Sequence, residues 1–167
     1  MRPNVWMFGM LLFLLGSVAW AAGGSSSGVG SSSAGAGKSA TPAKDPVIQA
    51  AQDGISKQDW TGTQALLKSA LATSPGNADY HNLYAFATRK GPNPDMALVL
   101  AEYAEALRID PRHRGAHEYL GEAYLQLRDL TKAREQLAAL GKLCAFGCEE
   151  YSDLKRSVAA YESAQPQ

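Results

Sequence analysis

The chain has 167 residues, of which 16 are basic and 16 acidic, so its formal net charge is zero. With that balance and no strong basic stripe, nucleic-acid binding lacks the electrostatic footprint it requires. Once an amino-terminal leader and arm are set aside, about 125 residues remain, enough for one domain of ordinary size.

Residues 1–21 have the three-part design of a secretory signal peptide: a positive charge at Arg2, an apolar run from Val5 to Leu15, and Ala19-Trp20-Ala21 as a small-x-small cleavage motif. Gly16 and Ser17 interrupt the run, which falls short of the roughly 20 apolar residues that span a bilayer core. The expected location is therefore periplasmic or secreted, the alternative being an uncleaved segment anchoring the chain to the inner membrane. No cysteine follows the cleavage motif, which argues against a lipoprotein.

Residues 22–43 are almost wholly Gly, Ser and Ala and bury too little apolar surface to offset their ordering entropy, so they read as a disordered arm. Gly37-Lys38-Ser39 resembles the end of a phosphate-binding loop, but Ser32 stands where the first glycine belongs and no buried strand precedes it.

From there the apolar residues recur with a period of 3.6. They predict helices over about 46–56, 60–73, 78–89, 94–108, 114–127, 130–143 and 149–164. The units are punctuated by Pro75 and Pro111, 36 residues apart, and proline suits such a boundary because it cannot continue the preceding helix. In 149–164, Tyr151, Leu154, Val158 and Tyr161 fall on one face, as a terminal cap requires.

Leu120-Gly121, Tyr124, Ala133, Leu137 and Leu140 in one copy, and Ala106-Leu107 through Asp110-Pro111 in another, resemble the tetratricopeptide-repeat family, whose period is about 34 residues. Small Gly121 and Ala133 are read as letting the paired backbones approach. Other copies depart from the pattern. The first has Ala50-Ala51 for Leu-Gly and Thr63 for the small alanine, while the second has Leu83-Tyr84 for Leu-Gly and a longer inter-helix loop through Gly91-Pro92-Asn93-Pro94. The segment from Leu143 to Tyr151 also looks like small exported bacterial repeat proteins with a CxxxC segment.

The resemblance implies an all-α fold of three antiparallel helix pairs, stacked as a short right-handed α-solenoid with a carboxyl-terminal capping helix. The expected division is 44–77, 78–113 and 114–147 for the repeats and 148–164 for the cap. The first helix of each pair then lines a concave groove, at Gln52, His81, Asn82, Arg89, Glu118, Glu122 and Gln126. Family members that clamp a carboxyl terminus use Lys and Arg with Asn at such positions. Glu118 and Glu122 have the wrong sign for that, so the groove's carboxyl-terminal half is expected to prefer a basic ligand.

Cys144 and Cys148 are the only cysteines, and in an oxidising compartment they are expected to pair, with Gly147 breaking the helix so that the sulfurs meet. So short a loop removes little chain entropy, and the bridge fixes geometry more than it adds stability. The alternative is thiol-dependent copper handling, since soft thiolates select copper(I) and His113 and His117 lie one turn apart. No constellation points to catalysis, a resident metal or a cofactor. The leading expectation is a non-catalytic scaffold that binds another envelope or periplasmic protein through a segment or helix in its groove. A subunit that self-associates through exposed helix faces is a third reading.

Overall fold

The computed structural model describes residues 45–164. The expected signal peptide and the Gly/Ser/Ala arm lie outside the described residues. Seven helices follow in order: α1 (Pro46–Ser56), α2 (Trp60–Thr73), α3 (Ala78–Lys90), α4 (Met96–Ile109), α5 (Arg114–Gln126), α6 (Leu130–Leu143) and α7 (Glu149–Ser163). Among the described residues there is no strand. Consecutive helices pack as antiparallel pairs, the first helices of the pairs, α1, α3 and α5, lie side by side, and α7 packs on α5 and α6.

Local chemistry sets the boundaries. All six repeat helices open on a side chain that accepts a backbone N–H: Asp45, Asp59, Asn77, Asp95, His113 and Asp129. Each such cap contributes about 1 kcal/mol by satisfying a donor that the helix leaves free. Asp95 accepts from the N–H of Ala97 and Leu98, so α4 starts at Met96 rather than at Pro94. The α3–α4 connection accordingly has five residues, 91–95, against three at 57–59 and three at 127–129.

Within each pair the chain reverses through one left-handed residue. These are Gln58 (φ 57°), Asn93 (φ 55°) and Arg128 (φ 62°), spaced 35 residues apart. The first and third turns share their bonding: Asp59 N–H donates to the Gly54 carbonyl as Asp129 N–H donates to that of Tyr124. Asn tolerates this conformation, whereas Gln and Arg adopt it at a steric cost.

The core is shared between neighbours. One cluster joins Ala51, Leu67 and Tyr80 from α1, α2 and α3, and the next joins Ala85, Val99, Tyr103, Leu120 and Ala123 from α3, α4 and α5. A third joins Ala133 and Leu140 of α6 to Leu154 and Val158 of α7. Gly121 works differently from the reading above. A Cβ there would lie 2.6 Å from Leu154 Cδ2, so the missing side chain admits the capping helix α7. In the first pair Thr63 fits where a small alanine was expected because Gly54 opposes it: a Cβ on Gly54 would lie 2.3 Å from the Thr63 hydroxyl oxygen.

Between α6 and α7, Cys144 and Cys148 are joined, with Cα atoms 5.6 Å apart. The helix ends earlier than Gly147, because Cys144 itself is the terminal cap of α6 (φ −114°, ψ 59°), and Gly147 (φ +87°) makes the later reversal.

Three substitutions test this account by urea unfolding. Arg128→Gly, at an exposed side chain on a left-handed residue, is expected to raise stability by about 0.5–1 kcal/mol, and Asn93→Gly to gain less. Gly121→Ala is expected to lower it by about 1–3 kcal/mol, because Leu154 is fully buried and cannot retreat without opening the cap interface.

Candidate functional site

The face shared by α3, α5 and α7 holds three of the six buried polar side chains among the described residues: Asn82, Arg89 and Glu118. Helices α3 and α5 meet in register along it, with residue pairs offset by 33. The Asn82 amide nitrogen lies 3.5 Å from where a Cβ on Gly115 would be. One turn on, the rings of Phe86 and Tyr119 lie 4.7 Å apart. Another turn on, Arg89 Nη2 donates to Glu122 Oε2 at 2.7 Å. Trp60 meets the other side of Phe86 edge-on at 6.4 Å, and the Arg89 guanidinium stands 5.6 Å from the Phe86 centroid.

Burial makes these contacts consequential. Asn82 is 6% exposed and Arg89 7% exposed, and the Asn82 Oδ1 and Arg89 Nε atoms have no hydrogen-bond partner. Removing Glu122 would strand a buried guanidinium, at a cost of about 3–5 kcal/mol. Glu118 is 8% exposed, and its carboxyl is pushed up to about 7. Burial is the main cause, followed by the charges of Glu122, Asp153, Glu150 and Glu149. Tyr119 beside it is also raised, by burial first and then by Glu118 and Glu122. Glu150 makes an ion pair with Arg114 at 3.5 Å, and a polar cleft of about 280 Å³ opens there beside Gly115, lined by Asp79, Asp110 and Glu150 and equally by Arg112, His113 and Arg114.

Of the residues expected in the groove, the structure gathers Asn82, Arg89, Glu118 and Glu122 on this face. Gln52 on α1 and Gln126 at the end of α5 are exposed and take no part in the cluster. His81 turns elsewhere: Nδ1 lies 2.6 Å from Glu102 Oε2 on α4, and Nε2 lies 2.9 Å from the Pro75 carbonyl oxygen. The reason is the repeat frame. His117, 36 residues later, packs the same way, with Nδ1 2.8 Å from Gln136 Oε1 and Nε2 3.1 Å from the Pro111 carbonyl.

The sequence reading missed Phe86, Tyr119, Glu149, Glu150 and Asp153. A signal was present for two of them: carrying the 34-residue period forward from Gly115 and Tyr119 reaches Glu149 and Asp153, provided that α7 is treated as a further first helix as well as a cap.

The copper reading finds no support in these contacts. His113 Nδ1 accepts from Ala116 N–H and its Nε2 lies 3.1 Å from Asp79 Oδ1, so both nitrogens of His113 and of His117 are engaged. Among the described residues no three His, Cys, Asp or Glu are placed to hold a metal ion.

No family model matches the chain. Two Arabidopsis thaliana proteins are similar in sequence: the inactive TPR repeat-containing thioredoxin TTL3, 33% identical over 92 residues, and the TPR repeat-containing thioredoxin TTL4, 31% identical over 100. These matches cover 55% and 60% of this chain, which spans only 12% and 14% of those proteins. In fold it is similar to SycD, the type III secretion translocator chaperone of Yersinia enterocolitica, with a TM-score of 0.62 at 12% identity, covering 70% of this chain and 81% of SycD. SycD solved with a peptide of the translocator YopD gives 0.59 at 14% identity, covering 71% of this chain and 88% of that one. The first TPR of Spaghetti (RPAP3), bound to the HSP90 peptide SRMEEVD, gives 0.60 at 13% identity, covering 71% and 91%. Together with the stacked helix pairs, these likenesses show that the chain has the tetratricopeptide-repeat fold, an all-α solenoid of helix-pair repeats.

Proposed function

We propose that this protein is an exported, non-catalytic scaffold whose groove holds a segment of another periplasmic or envelope protein. The observation that carries the reading is the α3–α5–α7 face, where carboxylates and an unpartnered buried amide are concentrated on the first helices of the pairs. Buried polar groups without partners cost stability, and natural folds keep them chiefly where function uses them. Peptide complexes of SycD and RPAP3 provide the analogy for such a face as a binding surface. The RPAP3 peptide is acidic, and the carboxylates here disfavour a ligand of that kind. Export rests on the leader at residues 1–21, and the disulfide between Cys144 and Cys148 accords with an oxidising compartment.

Photo-crosslinking in cells tests the reading, with a photoreactive amino acid placed at Glu149 or Asp153 on the groove side and at Glu135 or Lys142 on α6. Adducts are expected from the first pair only, on a chain whose mass shows loss of residues 1–21. Adducts from the α6 positions alone, or an uncleaved cytoplasmic chain, would overturn it. With the photoreactive residue at Asp153, Glu149→Lys is expected to weaken the adducts while leaving the fold intact, a control that Glu122 cannot provide because Arg89 depends on it.

A further inference from the structure

Phe146 is the most exposed large apolar side chain among the described residues, at 104%. With none of its area hidden, it adds nothing to the stability of the fold. Its loop is nonetheless fixed. The bridge between Cys144 and Cys148 closes it at both ends, with Cα atoms 5.6 Å apart, and Gly147 (φ +87°) makes the reversal. A constrained loop holding out a bare aromatic ring has the form of a binding anchor, because the ring hides a large area while little order remains to be imposed.

A cleft of about 430 Å³ lies on α6 beside this loop. Ala138, Ala139 and Leu143 of α6 and Pro111 before α5 form its apolar walls, and the exposed Glu135 and Lys142 also line it. The two alanines leave the space that longer side chains would fill. His117 holds the walls together: its Nδ1 lies 2.8 Å from Gln136 Oε1 on α6, and its Nε2 lies 3.1 Å from the Pro111 carbonyl oxygen. The cleft is therefore formed before anything enters it.

Knob and cleft belong to one end of the molecule. Leu143 is the last residue of α6 and lines the cleft, and Phe146 follows it by three residues yet stands clear in solvent. Two copies related by a two-fold axis near that end can each place Phe146 in the cleft of the other, which is the self-complementary contact that a closed dimer requires.

Buried area selects a second copy as the occupant. One Phe hides about 150–250 Å² of its own and covers a similar area of wall, so a single insertion falls far short of the roughly 1,200 Å² of a stable interface. Two reciprocal insertions reach roughly 600–1,000 Å², the range of weak, reversible association. An unrelated partner would use the knob or the cleft, whereas a second copy uses both twice. An anionic lipid surface is disfavoured, because Glu149 and Glu150 follow the loop directly.

We propose that the protein self-associates as a weak two-fold dimer in which Phe146 of each copy enters the α6 cleft of the other. This goes beyond the scaffold reading and does not depend on it.

Sedimentation equilibrium of the disulfide-intact protein tests the proposal. A monomer–dimer equilibrium with a Kd on the order of 10–100 μM is expected. Phe146→Ala and, separately, Ala138→Arg are each expected to weaken it about tenfold or more. Both positions are exposed, so the thermal melts are expected to stay unchanged. Mixing the two variants is expected to restore part of the association, because the mixed dimer keeps one intact insertion: Phe146 of the Ala138→Arg copy in the cleft of the Phe146→Ala copy. A protein still monomeric at about 1 mM, a dimer that survives either substitution, or variants that stay apart when mixed overturns the proposal. So does a monomer that sediments with phosphatidylglycerol and phosphatidylethanolamine vesicles only while Phe146 is present, which would assign the ring to a lipid surface. Crosslinks between two copies at Glu135 or Lys142 have twice the mass of the chain, which separates them from the adducts with another protein that test the scaffold reading.

Discussion

A stack of helix pairs has no core within any one pair, so each apolar face is stable only while the next helix covers it. The cluster around Val99 and Tyr103 needs Leu120 and Ala123 from the following pair, and Ala133 and Leu140 need Leu154 and Val158 from α7. At the end of the array that cover comes from one close approach, Leu154 over Gly121. Burying a leucine fully stabilises by about 1.5–3 kcal/mol, a large share of the margin by which a small domain stays folded. The bridge from Cys144 to Cys148 closes only a short loop, so it restricts where α7 begins more than it drives α7 to dock.

The same approach builds the acidic face. Because Leu154 draws α7 against α5, Glu149, Glu150 and Asp153 come close enough to Glu118 to oppose its ionisation. The cap thus has two roles that a terminal helix elsewhere in the molecule would not combine: it covers the last core and supplies half of the groove's charge. Loosening it would relieve the repulsion around Glu118, so the stability of the array and the electrostatics of the groove are linked through one packing contact.

The fold was legible wherever local rules and tertiary packing agreed. Periodicity placed six of the seven helix starts and ends to within a residue, and the acidic and amide caps that fix most of those starts are visible in the sequence. Departures came where a rule was satisfied by a partner distant in sequence. Thr63 looked too large for its place, but Gly54 gives it room, and no spacing rule pairs those two. Gly121 was legible as a close-approach site, but not which helix approaches, because that depends on the third dimension. His81 carries a polar side chain on an amphipathic helix, which fits a groove lining as well as it fits an inward bond to Glu102; comparison with His117 decides between them. The left-handed Gln58 and Arg128 gave no warning, since the closing hydrogen bonds of each turn override a preference worth about 1–2 kcal/mol.

The distribution of unfavourable features is itself an argument about the groove. Outside it, all six repeat helices have a side-chain cap, and His81 and His117 have both ring nitrogens engaged. Within it, Asn82 Oδ1 lacks a donor, Arg89 Nε lacks an acceptor and Glu118 is held where ionisation is opposed, while beneath it the buried Tyr103 hydroxyl, beside Arg89, is also without a partner. Each buried polar group left unpaired costs about 1–3 kcal/mol, so a fold shaped for stability alone would replace them with apolar side chains of similar size.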